Sequence, residues 1–289
     1  MAGQEFLAER FEEQRARSRA VAYRMLGSFA EADDAVQEAW IKLSRADVGG
    51  VENLDAWLTT VVSRVCLDFL RSRKSRQEES LEARLPDPIV VEDGDSSLDP
   101  EHQVLANDAV GLALMVVLDT LNPAERLTFV LHDLFAVPFD AIASILDRSL
   151  AATKMMASRA RRRVQSSAKP PQEDLPRQRE VVSAFRVASR GGGFEALLAL
   201  LDPDVVLRAD TSEGLRTLRG AANVASQAQL FGRSAPVARP VLVNGSPGLV
   251  SIVDGKVLSV LAFTVSGGRI TEIHVFADPA RLAALGLAA

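Results

Sequence analysis

What this chain of 289 residues has little of narrows it first. A single cysteine, Cys66, leaves no internal disulfide to form, so a reducing, cytoplasmic compartment is the simple expectation. Cys66 stands among Val62, Val65, Phe69 and Leu70 in a helical pattern. That fits a buried structural thiol better than a redox switch, because a reactive thiol needs an exposed, electropositive setting. No apolar run approaches the ~20 residues that span a bilayer, and the N-terminal residues lack a signal-peptide pattern. Neither a cysteine–histidine cluster nor a glycine-rich phosphate loop is present, so no metal and no cofactor is expected. Acidic residues are missing altogether between Arg148 and Gln172.

What is there is an ordinary soluble composition, 47% hydrophobic and 25% charged, in a chain long enough for two or three domains. The net charge of −5 argues, as a total, against a polyanionic partner. Its distribution argues the opposite. Residues 64–76 carry Arg64, Arg71, Arg73, Lys74 and Arg76 against Asp68 alone, while residues 78–108 carry ten acidic side chains against Arg84 alone. Local sign, rather than the sum, sets where a polyanion docks.

The stretch from Asn122 to Val164 reads as a helix-turn-helix. Asn122, Pro123 and Glu125 make a helix start, with an N-cap, proline at the first position and a carboxylate three residues on. A second start at Pro138–Phe139–Asp140 opens a short helix, and Asp147, Arg148 and Ser149 then turn the chain, with Ser149 placed to cap the next helix. In that helix Leu150, Thr153, Ala157, Ala160 and Val164 share one face; Lys154, Met155, Ser158, Arg159 and Arg162 share the other. An uncompensated basic face on a short packed helix fits major-groove entry with phosphate anchoring. A solvated helical hairpin also fits, since Arg161, Arg162 and Arg163 near a helix C-terminus complement its dipole. The rest of the chain separates the two.

Residues 5–76 read as all helix. Gly27 closes a first section, Ser28–Phe29–Ala30–Glu31 is a capping box, and Asn53–Leu54–Asp55 caps a helix running to about Arg73. Residues 77–107 are acidic, proline-bearing and aperiodic, which reads as a tether. Beyond about residue 177 a helical stretch from Val181 to Leu201 precedes β-rich runs at 205–209, 241–243, 249–253, 257–265 and 270–276. Asp254–Gly255–Lys256 and Gly267–Gly268–Arg269 are hairpin turns between them.

Two helical modules, each with a basic segment, resemble a known family at specific residues. Ala32–Asp33–Asp34–Ala35–Val36–Gln37–Glu38–Ala39–Trp40 resembles region 2.2 of bacterial extracytoplasmic-function (ECF) sigma factors. Residues 56–71, from Ala56–Trp57–Leu58 to Phe69–Leu70–Arg71, resemble regions 2.3 and 2.4, and Asn122 to Val164 resembles region 4. Leu85–Pro86–Asp87–Pro88 is similar to the linker motif of the subgroup that carries a C-terminal SnoaL-like domain, the SigJ type. Val243–Asn244–Gly245–Ser246–Pro247–Gly248–Leu249–Val250 is similar to that subgroup's C-terminal pattern. Thr211–Ser212–Glu213–Gly214–Leu215–Arg216 resembles its glycine-rich aspartate motif only loosely, and Ala277–Asp278–Pro279–Ala280–Arg281–Leu282 stands where an Asn-Pro-Asp-Lys-Leu type is usual.

The resemblance implies a multi-domain chain. Two all-α modules, region 2 at 1–77 and the region 4 helix-turn-helix at 108–168, flank an acidic linker at 78–107. After a short link at 169–176, an α+β SnoaL-like (NTF2-like) cone would occupy 177–289. It further implies that Asp33, Asp34, Gln37 and Glu38, with Ile41 beside them, grip the β′ clamp helices of core RNA polymerase, region 4 meeting the β flap; a merely solvated acidic face is the alternative. Asn53, Trp57, Arg64, Asp68, Arg71, Arg73 and Lys74 would engage the −10 element of promoter DNA, with Trp57 either at the lip of a base pocket or in the core. Lys154, Met155, Ser158 and Arg159 would face −35 bases, with Ser149 and Arg161 nearer phosphates and Arg162 on the same basic face. The cone would touch the sigma modules or the linker and modulate them.

Two other functions stay open on the residues. One is a stand-alone helix-turn-helix regulator with a ligand-binding C-terminal domain. The other is a SnoaL-like isomerase or cyclase, whose general base would come from Asp210, Glu213, Glu272 or His274. The only tyrosine, Tyr23, lies in the other half of the chain, so the usual oxyanion donor is missing. His274 alternates with apolar residues and either points outward or is a satisfied core histidine.

Overall fold

The computed structural model describes residues 2–45, 53–77, 84–92, 111–167, 173–234 and 237–287. The chain divides into two compact units, Met1–Leu81 with Leu114–Ser167, and Glu82–Ala113 with Ala168–Ala289.

In the first unit α1 (Ala2–Leu26), α2 (Phe29–Arg45) and α3 (Leu54–Gln77) pack on one another. Gly27 ends α1 at φ +74°, a conformation open to glycine without a Cβ penalty, and its amide donates to the Tyr23 carbonyl at 2.7 Å. Ala32, Ala35, Val36, Ala39 and Leu43 form the buried stripe of α2 at three-to-four-residue spacing. Val36 and Leu43 join Phe11 and Leu58 in a cluster against which Trp40, Leu54 and Trp57 pack. Cys66 is fully buried beside Val62 and Val65, and loss of hydration pushes its thiol above the ordinary range.

The second helical group comprises α4 (Leu112–Leu118, of this unit from Leu114), α5 (Pro123–Phe129), a wide π-type turn (Val130–Leu134), α6 (Phe139–Leu146) and α7 (Leu150–Ser167). Asn122 caps α5, its Oδ1 accepting from the Glu125 amide at 2.9 Å. The turn from α6 to α7 is set by Asp147 in the left-handed region (φ 52°, ψ 55°). This group is held against α1 by Arg126, which is 3% exposed. Arg126 Nε and one terminal nitrogen donate to the Arg24 carbonyl at 3.2 and 3.1 Å, and the other terminal nitrogen pairs with Asp119. Burial lowers the guanidinium from its ordinary value while Asp119 opposes the shift. Arg17 and Arg24 lie over the Phe135 ring, 5.9 and 5.1 Å from its centroid.

The second unit is α+β. The helical stretch expected from Val181 to Leu201 is two helices, α8 (Leu175–Val187) and α9 (Phe194–Leu200), because Gly191 to Gly193 interrupts it. The strands are β1 (Val90–Glu92), β2 (Leu201–Thr211), β3 (Gly214–Arg219), β4 (Val237–Val243), β5 (Ser246–Val253), β6 (Lys256–Ser266) and β7 (Arg269–Phe276). Helix α10 (Ala221–Ser234) follows β3, and α11 (Pro279–Ala284) follows β7. They form one seven-stranded sheet in the order β1-β4-β5-β6-β7-β2-β3, antiparallel except for β2 beside β7. The β4–β7 meander is set by three turns with two residues each at positive φ: Asn244–Gly245, Asp254–Gly255 and Gly267–Gly268. One sheet face, with Leu207, Leu249, Phe263 and Ile273, packs on Val181 and Phe185 of α8, Leu197 of α9 and Val224 of α10. This is the helix-covered sheet of the expected SnoaL-like cone.

The expected tether at 78–107 needs correcting. Its residues Leu85 to Glu92 are folded into the second unit, with Val90, Val91 and Glu92 pairing with Val243, Leu242 and Val241. A three-residue edge strand leaves no readable alternation, and Pro86 and Pro88 precede it where no ladder donor is needed. The flanking 78–83 and 93–110 lie outside the described residues.

Replacing Arg126 by leucine leaves the Arg24 carbonyl without its donor, while the exposed Asp119 returns to water. An unsatisfied buried acceptor costs about 1–3 kcal/mol, so the urea midpoint of the first unit should fall accordingly. An unchanged midpoint would show that the helical group is held by apolar packing alone.

Candidate nucleic-acid interface

Helix α7 packs through Thr153, Ala157 and Ala160, all buried. Leu150, expected on that face, is instead 45% exposed at the helix start. Ser149 spends its hydroxyl on the helix, accepting from the Ala152 amide at 3.2 Å. Lys154, Met155, Ser158, Arg159 and Arg162 are exposed on the outward side. Among the described residues no carboxylate pairs with Arg148, Lys154, Arg159 or Arg162. The other two arginines pair with carboxylates of the same unit. Arg161 Nε pairs with Asp133 of the wide turn at 2.6 Å, and Arg163 pairs with the buried Glu125 at 2.8 Å. The helical period explains the division: residues 161 and 163 flank the packed stripe on either side, whereas 159 and 162 point away from it. Arg161 thus has a protein carboxylate where a phosphate contact was expected.

On α3, Asn53 is the N-cap, its Oδ1 accepting from the Ala56 amide at 3.0 Å, so Asn53 to Trp57 is a first helical turn rather than a loop. Trp57 is half-buried and packs against the Phe11, Val36, Leu43 and Leu58 cluster. Arg64, Asp68 and Arg71 are exposed, and Arg71 reaches Asp68 at 3.3 Å. Arg73, expected at DNA, turns inward: it donates to the Leu26 carbonyl at 3.1 Å and pairs with Glu31. Lys74 lies on α3 with its side chain outside the described residues.

On α2, Asp34, Gln37, Glu38 and Ile41 form a continuous exposed strip at i, i+3, i+4 and i+7. Asp33 is exposed beside the strip, and its two oxygens accept from Arg19 at 2.5 and 3.1 Å. Glu38 pairs with Lys42 at 2.9 Å on the surface.

Comparison with known proteins gives this geometry its context. The chain matches the Sigma-70 region 2 model over residues 11–76 and the Sigma-70 region 4 model over 111–164. It is 36% identical over 266 residues to the probable ECF RNA polymerase sigma factor SigI of Mycobacterium tuberculosis, covering 91% of this chain and 90% of that protein. It is 37% identical over 286 residues to the ECF RNA polymerase sigma factor SigJ of the same organism, covering 93% and 91%. This chain belongs to the ECF RNA polymerase sigma factors. The crystal structure of the M. tuberculosis ECF sigma factor SigJ superposes with a TM-score of 0.74 at 35% identity, covering 96% of this chain and 98% of that one. The sigma-factor function expected from the sequence is that of the family, and the stand-alone regulator gives way to it.

In this sigma factor the linker motif has a built seat. The Leu85 amide donates to Asp210 Oδ2 at 3.3 Å, and the Leu85 carbonyl accepts from Arg281 at 2.8 Å. Arg281 also pairs with Asp87 and with Asp210. Asn244 exchanges two bonds with Ile89: its amide donates to the Ile89 carbonyl at 2.8 Å, and its Oδ1 accepts from the Ile89 amide at 3.1 Å. Leu85, Pro86 and Pro88 are buried, with Asp87 half-buried. Gly248 of the same C-terminal motif is fixed by space, because a Cβ there would sit 2.6 Å from the Leu261 carbonyl oxygen. Asn244 and Arg281 were not read as functional from the sequence; an Asn-Gly pair signals only a turn, and Arg281 stands in a segment that departs from the family pattern.

The four candidate bases do not gather in a helix-covered pocket. Strand alternation puts Asp210, Glu272 and His274 on the face opposite Leu207 and Ile273, away from the apolar core. His274, Glu272 and Arg208 form a polar group there, with Arg208 3.7 Å from Glu272 and 3.5 Å from the His274 ring. Glu213 is exposed and pairs with Arg216. Replacing Arg281 by alanine leaves Asp210, 1% exposed, without its cation. Stability of the second unit should drop by about 3–5 kcal/mol, and trypsin should cut faster at Arg84. Wild-type cutting at Arg84 would show that the motif is held by strand pairing alone.

Proposed function

We propose that this sigma factor binds core RNA polymerase through the Asp34, Gln37, Glu38 and Ile41 strip, reads −35 DNA with the outward face of α7, and engages −10 DNA with the exposed part of α3. The observation that carries the reading is the α7 face, where Lys154, Arg159 and Arg162 have no carboxylate partner among the described residues. Protein arginines that lack a DNA task on this helix are neutralised by Glu125 and Asp133; the outward ones are left for phosphate and base edges. Arg64 and Arg71 carry the −10 contact, while Arg73 and Trp57 serve the module's own packing. No described helix is long and apolar enough to cross a membrane, which accords with cytoplasmic work on the chromosome.

The C-terminal unit acts on this reading as a holder of the linker, not as an enzyme. The side of its sheet that faces the helices carries Leu207, Phe263 and Ile273 packed on Phe185 and Leu197, whereas Asp210, Glu272 and His274, three of the four candidate bases, stand on the opposite face.

In-vitro transcription with core polymerase tests the assignment. Lys154→Ala and Arg159→Ala should each lower the slope of log affinity against log salt by about 0.9 for a phosphate contact, or cost about 1–3 kcal/mol at one base for an edge contact. Both should leave core binding intact, and equal use of native and scrambled −35 sequences by the parent protein would refute the −35 role. Charge reversal of Asp34 and Glu38 together to lysine should weaken holoenzyme formation about 100-fold, because like charges then face a basic partner. Unchanged co-elution with core on gel filtration would sink the α2 assignment.

A further inference from the structure

The outward face of α7 is cationic or polar except at Met155 and Ala151; the other exposed apolar side chain, Leu150 at the helix start, borders the packed stripe. Met155 is 57% exposed, and Ala151, four residues earlier, is exposed beside it. At 3.6 residues per turn the two lie within about 40° of each other, opposite the Thr153, Ala157 and Ala160 stripe. Neither side chain is part of the unit's buried core. A large apolar group in the open is ordinarily masked by packing or replaced by a polar one; here it is ringed by Lys154, Ser158, Arg159 and Arg162. An apolar protein partner would not call for that uncompensated ring. A duplex does, because phosphates flank the groove and the one apolar feature on its floor is the thymine C5-methyl group. Recognition helices meet base edges with their N-terminal residues, and Ala151 and Met155 are the second and sixth residues of α7.

We propose that Met155, with the Ala151 methyl beside it, selects a thymine in the −35 element through its C5-methyl group, by apolar contact and not by hydrogen bond. The inference rests on the −35 role of α7 proposed above and adds what that face distinguishes. Met155 offers no donor, and its flexible thioether adapts to a methyl group. Ser158 and Arg159, one turn further on, supply the hydrogen bonds to neighbouring bases.

The test uses the holoenzyme formed from the full chain and core polymerase. Preferred −35 sequences are selected from a randomised library, and each thymine in the winner is then replaced singly by 2′-deoxyuridine, which lacks the methyl group. One thymine position should lose open-complex formation about four-fold, equivalent to the ~0.8 kcal/mol of one buried methylene-sized group. Met155→Ser should treat thymine and deoxyuridine alike at that position, and Met155→Leu should keep the discrimination. Wild-type indifference to deoxyuridine at every position, with scrambled −35 DNA still rejected, overturns this proposal alone. So does a Met155→Ser protein that keeps the ratio, or one that loses core binding with the ratio intact, which would assign the side chain to a protein contact. Acceptance of scrambled −35 DNA by the wild type overturns the −35 reading and this inference together.

Discussion

A helix ends with carbonyls that have no partner within the helix, and the end of α1 resolves this with groups from three places. Gly27 caps Tyr23 from the chain itself, Arg73 of α3 reaches Leu26, and Arg126 of α5 takes Arg24 twice. The partial negative charge at a helix C-terminus favours both guanidinium groups. Arg126 could not be buried without this acceptor and Asp119, since an unpaired buried cation costs several kcal/mol. The same contact therefore closes region 2 and docks region 4 on it. That docking constrains DNA reading. Positions −35 and −10 lie about 25 base pairs apart, about 85 Å along the duplex. Helices α3 and α7, the two proposed readers, of 24 and 18 residues, would measure about 36 and 27 Å and fall short even end to end. On the proposed reading, region 4 leaves the α1 terminus before both elements are held, and Asp119 and Arg126 then meet water instead of each other.

The reach of the separated modules depends on chain length between them, and there the C-terminal unit enters. Extended backbone covers at most about 3.3–3.6 Å per residue. Residues Leu85 to Glu92 are withdrawn from that span, because their main-chain groups bond to Asp210, Arg281, Asn244 and β4. Arg281 is central, linking two carboxylates and one carbonyl from different parts of the sequence. A tether drawn as uniformly loose overstates the freedom of the two modules, since one stretch of it is as folded as the sheet that holds it.

How far the sequence disclosed this follows from what each signal measures. Helical periodicity reports which face packs, so the α2 and α7 stripes were legible, as were the β4–β7 meander and its turns at Asp254–Gly255 and Gly267–Gly268, where residue chemistry dictates backbone. Periodicity does not say whether a charged residue beside the stripe meets solvent or a neighbouring helix. Arg73, Arg161 and Asp33 were given binding roles by the family resemblance, and each also finds an opposite charge across a tertiary contact. Strand β1 is too short to alternate, and the separate β3 and α10 left no signal strong enough to read between β2 and β4. Asp210 was a candidate general base because SnoaL-like cones include isomerases and cyclases; its partners, Arg281 and the Leu85 amide, lie 71 and 125 residues away.

The protein-facing pairs also explain how an acidic chain presents a basic surface. Asp119, Glu125, Asp133 and Glu31 are each committed to an arginine that organises the helical unit. These pairings take up Arg126, Arg163, Arg161 and Arg73, and leave Arg159 and Arg162 on the outer side of α7 without a carboxylate among the described residues. Screening then acts unequally: in salt of about 0.15 M, where fields decay over about 8 Å, an exposed crest keeps only its own local sign. The net charge of −5 is a sum over the whole chain, whereas the outward side of α7 carries Lys154, Arg159 and Arg162 without a carboxylate partner among the described residues.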